Sequence, residues 1–219
     1  MYNNVLFPII SGIILALMAF VSVQRVNHPR FFHFAMILLI LAMEQFCTAL
    51  VALAVDNPAY DYLKGFFTLF LLIISQIIWP VWIPFALQRM ETVWAIRRLL
   101  IFFVYLGILV ALFTTWDYIF YEVSVTLEGD EMRFIQNGDR FFQAYGVYFW
   151  MGVTLLPAFI SYTKRMWIVG LTLALAYAVM RYMNPYDFVF FSPIVALVLG
   201  GSIYFVLLDI PKSKPVWHG

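Results

Sequence analysis

The residues of this chain best placed to do chemistry are few. They are Glu44 and Gln45 in the run LAMEQF, and Ser75, Gln76, Trp79, Pro80 and Trp82 in the run IISQIIWPVWIP. All lie inside long apolar stretches. Glu44 stands eleven residues from each end of the segment His33 to Val55, and Gln76 stands twelve from Lys64 and eleven from Leu87. If both segments cross a bilayer, both groups are at mid-depth. An ionised carboxyl there costs ~2.5 kcal/mol or more, and the escapes are protonation, a partner or a wet cavity. Two chemistries are open to it. Glu44 is either a proton or cation site, or the polar anchor of a ligand pocket; or it is a neutral acid bonded to an amide, a helix-to-helix link worth ~0.6 kcal/mol on average. The spacing also predicts a partner. The two segments are joined by a short turn, so Glu44 and Gln76 are expected to face each other, with Glu44 neutral unless water reaches it.

Pro80 sharpens that expectation. In a regular helix a proline has no N–H for the carbonyl four residues back, which here is Gln76, and Pro84 does the same to Pro80. A freed carbonyl beside the Gln76 amide makes a kinked polar spot. Trp79 and Trp82 then descend toward one interface, where indoles are favoured.

The surroundings can be read from composition. With 64% hydrophobic, 20% aromatic and 11% charged residues, the chain has less than half the charge of an ordinary soluble domain, where about a quarter of residues are charged. The expected class is an all-α integral membrane protein. Seven apolar segments can be traced: Val5 to Val23, His33 to Val55, Lys64 to Leu87, Leu99 to Phe120, Phe142 to Tyr162, Met166 to Met183 and Phe188 to Leu208. Spans need ~20 residues, so 1–219 is read as one seven-transmembrane helix bundle with no second domain. The first segment lacks a basic residue ahead of it and a small-x-small cleavage site, so it is kept as a span.

Orientation comes from Lys and Arg. Arg25, Arg30, Arg89, Arg97, Arg98, Lys164, Arg165, Lys212 and Lys214 fall in alternate connections, against Lys64, Arg133, Arg140 and Arg181 in the others. Nine against four places the N-terminus outside and the C-terminus in the cytoplasm. The one long connection, 121–141, alternates Val123, Val125 and Leu127 with polar residues. It turns at Gly129-Asp130 and resumes with Met132 and Phe134, which predicts an outer β-hairpin between spans four and five. Its acidic charge argues against nucleic acid.

No catalytic cluster emerges. Cys47 is the single cysteine, which excludes an internal disulfide, and the three histidines lie away from mid-membrane. No His, Asp and Glu stand at metal-ligand spacing on facing helices. Phosphate loops, nucleophile elbows and dinucleotide fingerprints are missing. The last span has no lysine for a retinal Schiff base, and Asn184-Pro185-Tyr186-Asp187 reads as a turn. No metal and no cofactor are expected.

Several runs together resemble a known family. Leu41-Ala42-Met43-Glu44-Gln45-Phe46, Trp79-Pro80-Val81-Trp82-Ile83-Pro84, Arg97-Arg98-Leu99-Leu100, Leu155-Leu156-Pro157 with Ser161, and Phe190-Phe191 look like a family of uncharacterised bacterial multi-pass membrane proteins. The Trp-Pro-x-Trp-x-Pro core is the distinctive part. The resemblance implies the fold and a bacterial inner membrane, and carries no activity. The sequence therefore points to a non-catalytic protein. It is read as a structural or accessory subunit among other membrane subunits or in a homo-oligomer, or as a binder of a small apolar ligand. The rival reading is a proton- or cation-coupled transporter or channel using Glu44.

Overall fold

In the computed structural model, the described residues are 3–26, 28–56, 58–121, 123–128, 131–136, 140–183 and 193–209. Among them the chain folds into seven helical rods and a two-stranded ribbon. The elements are α1 (Asn3–Arg25), α2 (Pro29–Asp56), a short 3-10 turn (Pro58–Tyr60), α3 (Asp61–Leu72), a π-helical segment (Ile73–Ile78), α4 (Trp79–Met90), α5 (Trp94–Phe120), β1 (Val123–Glu128), β2 (Glu131–Gln136), α6 (Arg140–Ile160), α7 (Met166–Met183) and α8 (Pro193–Leu208). The third rod is continuous from α3 through the π segment to α4.

Length and composition allow four of these rods to cross a membrane: Val5–Arg25, Pro29–Val55, Tyr62–Met90 and Trp94–Phe120. The apolar parts of the other three are shorter, at Tyr145–Ile160, Met166–Val179 and Pro193–Leu208. At 1.5 Å per residue α8 rises only about 24 Å, less than the ~30 Å of hydrocarbon. The count of seven spans is thus finer than the helices themselves establish. Many large apolar side chains point outward along the described rods. Leu17 and Phe20 on α1, Phe102, Leu112, Phe113 and Trp116 on α5, and Phe149 on α6 are all exposed. So many large apolar side chains on the outside suit a membrane-embedded bundle.

Consecutive rods pack side by side, and α1 also meets α8, so the bundle closes on itself. α2 is the central rod. Of its apolar window 61% is buried, against 33% for α1 and for α5, and it touches α1, α3, α4 and α8. The main core runs from Leu15 and Ala19 through Phe34, Leu38, Leu41, Trp79 and Leu87 to Leu199 and Ile203. Cys47 is a free, buried thiol in a smaller cluster with Val51, Leu71 and Ile74.

β1 and β2 pair antiparallel, from Val123 opposite Gln136 to Glu128 opposite Glu131. β1 lies against α2 and α3. The turn Gly129-Asp130 and the face the ribbon turns to the bundle lie outside the described residues. So do the turn at Asn184 to Asp187, Phe190-Phe191, and the tail with Lys212 and Lys214.

Several glycines sit at helix-to-helix contacts. A Cβ on Gly12 would press on Phe46 of α2, one on Gly170 on Phe159 of α6, and one on Gly200 on Leu15 of α1. The tightest approach is at Gly107. A Cβ on Gly107 of α5 would collide with the backbone carbonyl of Pro80 in α4. Pro84 cannot donate to that carbonyl, and the carbonyl faces a helix with no side chain at the crossing. Backbone cannot rotate away as a side chain can. Gly107→Ala is therefore expected to cost about 1–3 kcal/mol by overpacking, read as a lowered thermal midpoint in detergent. Gly152→Ala, where a Cβ meets nothing within 4 Å, should leave the midpoint unchanged or raise it.

Candidate functional site

The buried polar groups of α2 and of the π segment are joined to other helices by two indoles and one hydroxyl. Glu44 is fully buried (0% exposed) in the central helix α2. Its Oε2 accepts a hydrogen bond from Trp79 Nε1 at 2.9 Å, and its Oε1 is buried with no partner. No hydrogen bond joins Glu44 to Gln76, which is half-buried on the π segment. The expected facing pair is replaced by Glu44 and Trp79. Trp79 is 1% exposed and so does not serve as an interfacial indole.

The π segment explains the change. Here each N–H reaches five residues back, as the Trp79 N–H does to the Ile74 carbonyl. The wider turn adds one residue to the repeat and rotates the α4 part of the rod by about 100° relative to a regular helix. That rotation brings Trp79 to the α2 face. It also moves the orphan carbonyl. With five-back pairing, the oxygen that Pro80 leaves without a donor belongs to Ser75, not Gln76. Trp150 of α6 supplies the missing donor, its Nε1 lying 3.2 Å from the Ser75 carbonyl oxygen. The Ser75 hydroxyl donates to the Leu71 carbonyl at 2.9 Å.

The remaining site residues are held similarly. Trp82 donates from Nε1 to the His33 carbonyl at 3.1 Å, and its indole lies near the His33 and Phe85 rings. Gln45 Oε1 accepts from the Ser11 hydroxyl of α1 at 3.1 Å. Ser11 is also 3.0 Å from the Pro8 carbonyl. Pro80 sets the π register and presents its own carbonyl to Gly107. So Glu44 and Trp79 meet between α2 and α4, while Pro80 turns its carbonyl to α5, Gln45 turns to α1 and Gln76 stands apart.

Sequence reasoning missed Trp150, Gly107 and Glu91. Glu91 lies in the turn between α4 and α5 and is buried. Its Oε1 accepts the N–H groups of Thr92 (2.9 Å) and Val93 (3.1 Å). Its Oε2 accepts the Tyr162 N–H (2.8 Å) and the Ser161 hydroxyl (3.2 Å). Four donors satisfy both oxygens, so one carboxylate ties the α4–α5 turn to the α6–α7 turn. The only signal in the sequence was an acid among the basic connections.

An apolar cavity of about 10 Å³ lies between α2, α4, α6, α7 and α8, lined by Phe34, Trp79, Ile83, Leu173 and Ile203 among others. It is the size of one water-sized sphere. No group of three or more His, Cys, Asp or Glu able to hold a metal occurs among the described residues. No protein family, curated protein or solved structure matches the chain, which accords with a resemblance to a family without known activity.

The two buried indole bonds give a direct test. Trp79→Phe keeps the apolar bulk and strands a buried carboxyl oxygen; Trp150→Phe strands the Ser75 carbonyl. Each is expected to cost about 1–2 kcal/mol. Trp116→Phe, on the exposed outer face, should cost nothing measurable. Equal thermal midpoints for all three proteins would mean that the indole bonds contribute no stability.

Proposed function

We propose that this is a non-catalytic seven-span protein of the bacterial inner membrane, N-terminus outside and C-terminus cytoplasmic, acting as a structural or accessory subunit of a membrane complex. The observation that carries this reading is that the mid-depth polar groups form fixed helix-to-helix bonds. Trp79 holds Glu44, Trp150 holds the Ser75 carbonyl, and Ser11 holds Gln45. Groups so engaged favour a rigid scaffold. The cavity beside Trp79, at about 10 Å³, is itself too small for an apolar ligand. The ribbon β1–β2 against α2 and α3 supports an element that caps the outer end.

One observation favours the second reading, a proton- or cation-coupled transporter or channel. Glu44 Oε1 is buried at mid-depth with no partner, so a proton, water or cation has an acceptor there.

Purification in mild detergent with mass spectrometry of the molecules that stay bound separates the two. An accessory subunit should retain other membrane chains, or a second copy, in fixed ratio; a fully stable lone monomer would argue against that role. Glu44→Gln adds the second arm. Under the subunit reading the variant folds and keeps its partners, because the amide still accepts from Trp79. Under the coupling reading it folds but loses proton-dependent transport in liposomes, because an amide does not titrate.

Topology is tested independently. Reporter fusions should place the N-terminus outside and the C-terminus in the cytoplasm. Both termini on one side would refute the odd number of spans.

A further inference from the structure

The start of α5 carries two arginines that the protein itself does not neutralise. Arg97 and Arg98 are exposed, and among the described residues neither has a carboxylate partner. The nearest acid along the chain, Glu91, is directed inward to Thr92, Val93, Ser161 and Tyr162. Positive charge is left at this turn.

Arg98 also heads a continuous face. Its guanidinium lies over the Trp94 ring at 3.7 Å, one turn back toward the helix end, as a long cationic side chain does when it leaves hydrocarbon for the interface. Phe102, Tyr105 and Leu109 follow at four, seven and eleven residues, within about 40° of Arg98 around the helix, and all three are exposed. The guanidinium and the apolar stripe thus share one face of one helix. Trp116, exposed on the same face, stands twenty-two residues from Trp94, about 33 Å at the helical rise and close to the ~30 Å of hydrocarbon. The two indoles match the spacing of two interfaces, with Arg98 beside one of them.

Tyr105 adds a polar group between head and chains. It is the only hydroxyl-bearing residue from Trp94 to Leu112, and it has no hydrogen-bond partner among the described residues. Helical side chains lean toward the N-terminus, which directs this phenol to the Arg98 end, and in lipid a donor without an acceptor is costly. A glycerophospholipid brings what the face lacks. Its phosphate suits guanidinium, which binds it bidentately; its ester carbonyls, just below, can accept from the phenol, and its chains can lie on the stripe.

We propose that the N-terminal half of the exposed α5 face binds an anionic glycerophospholipid, with Arg98 on the phosphate, Arg97 adding charge beside it, Tyr105 on an ester carbonyl and an acyl chain along Phe102 and Leu109. This rests on the membrane reading. An acidic protein segment would answer the arginines but leaves the phenol and the apolar stripe unexplained.

The full chain would be purified in mild detergent and mixed with phosphatidylglycerol and phosphatidylcholine of matched acyl chains, and the lipids retained would be read by native mass spectrometry. Phosphatidylglycerol should be retained in preference. Retention should fall about tenfold or more in the Arg97→Gln/Arg98→Gln protein, each basic residue near a membrane surface contributing on the order of fivefold. The Arg30→Gln/Arg89→Gln protein, with the same loss of charge on other helices, should keep it. Diether phosphatidylglycerol, which lacks ester carbonyls, should be held about fivefold less than the diester by the wild type and no differently from it by Tyr105→Phe. Because Arg97, Arg98 and Tyr105 are exposed, these variants should keep the wild-type thermal midpoint, so that lost lipid is not a lost fold. Equal retention of the two headgroups, or equal loss in both double variants, would overturn the assignment. Equal retention of diester and diether by the wild type would overturn the Tyr105 contact. Inorganic phosphate stabilising the chain as well as the lipid does would overturn it in favour of a bare anion site. An acidic protein lost from the Arg97/Arg98 variant while lipid stays would overturn it in favour of a protein partner. Recovery of the chain in water without detergent is a separate outcome and would refute the membrane reading itself.

Discussion

Every break in a helix inside an apolar surrounding leaves a carbonyl that only the protein can satisfy, and the structure is arranged around one such break. Pro80 and Pro84 remove two N–H groups within one turn of the third rod. In lipid each orphan oxygen would cost several kcal/mol. The two are handled differently. The Ser75 carbonyl receives the Trp150 indole, while the Pro80 carbonyl is covered by the backbone of α5 at Gly107, where the lack of a Cβ permits close helix-to-helix approach. A side-chain donor from α6 and a missing side chain on α5 therefore fix both neighbours of the same kink.

The same break sets the polar centre. The π segment turns Trp79 toward α2, where its N–H meets Glu44, and Trp82 comes one turn later onto the His33 carbonyl. Indole suits this role. It buries a large apolar surface and brings one donor with no acceptor to be satisfied in return. Glutamine at the same depth needs two donors and an acceptor met, which fits Gln76 standing on the less buried side of the rod.

How much of this the sequence conveyed depends on the range of the cause. The rods arise from runs of apolar residues, a local property, and their positions agree with the seven segments to within a few residues at most described ends; α5 begins at Trp94 rather than Leu99 because Glu91 caps the turn before it. Glu44 stood out because a lone acid in an apolar run is costly wherever it points. Its partner did not. The choice between Gln76 and Trp79 depends on a one-residue change of helical register, which depends in turn on where α5 and α6 press against the kink. A lone glycine in α5 and a tryptophan in α6 gave no hint that they meet Pro80 and Ser75, since contacts between distant helices leave no local period.

Glu91 shows the converse at the end of the rods. An acid amid basic connections looks like an exposed counter-charge, yet it is buried and accepts four hydrogen bonds. Since a carboxylate only accepts, four converging donors specify it more tightly than any amide could, because an amide would set its own N–H groups against two of them. The consequence reaches the arginines around it. With Glu91 directed inward and Asp209 held by Lys164 and Arg165, the charge of Arg30 and Arg89 is left facing outward. Among the described residues, the bond that locks the two turns together thus also engages an acid that stands among these arginines, so the rigidity of the turns and the charge of this end have one cause.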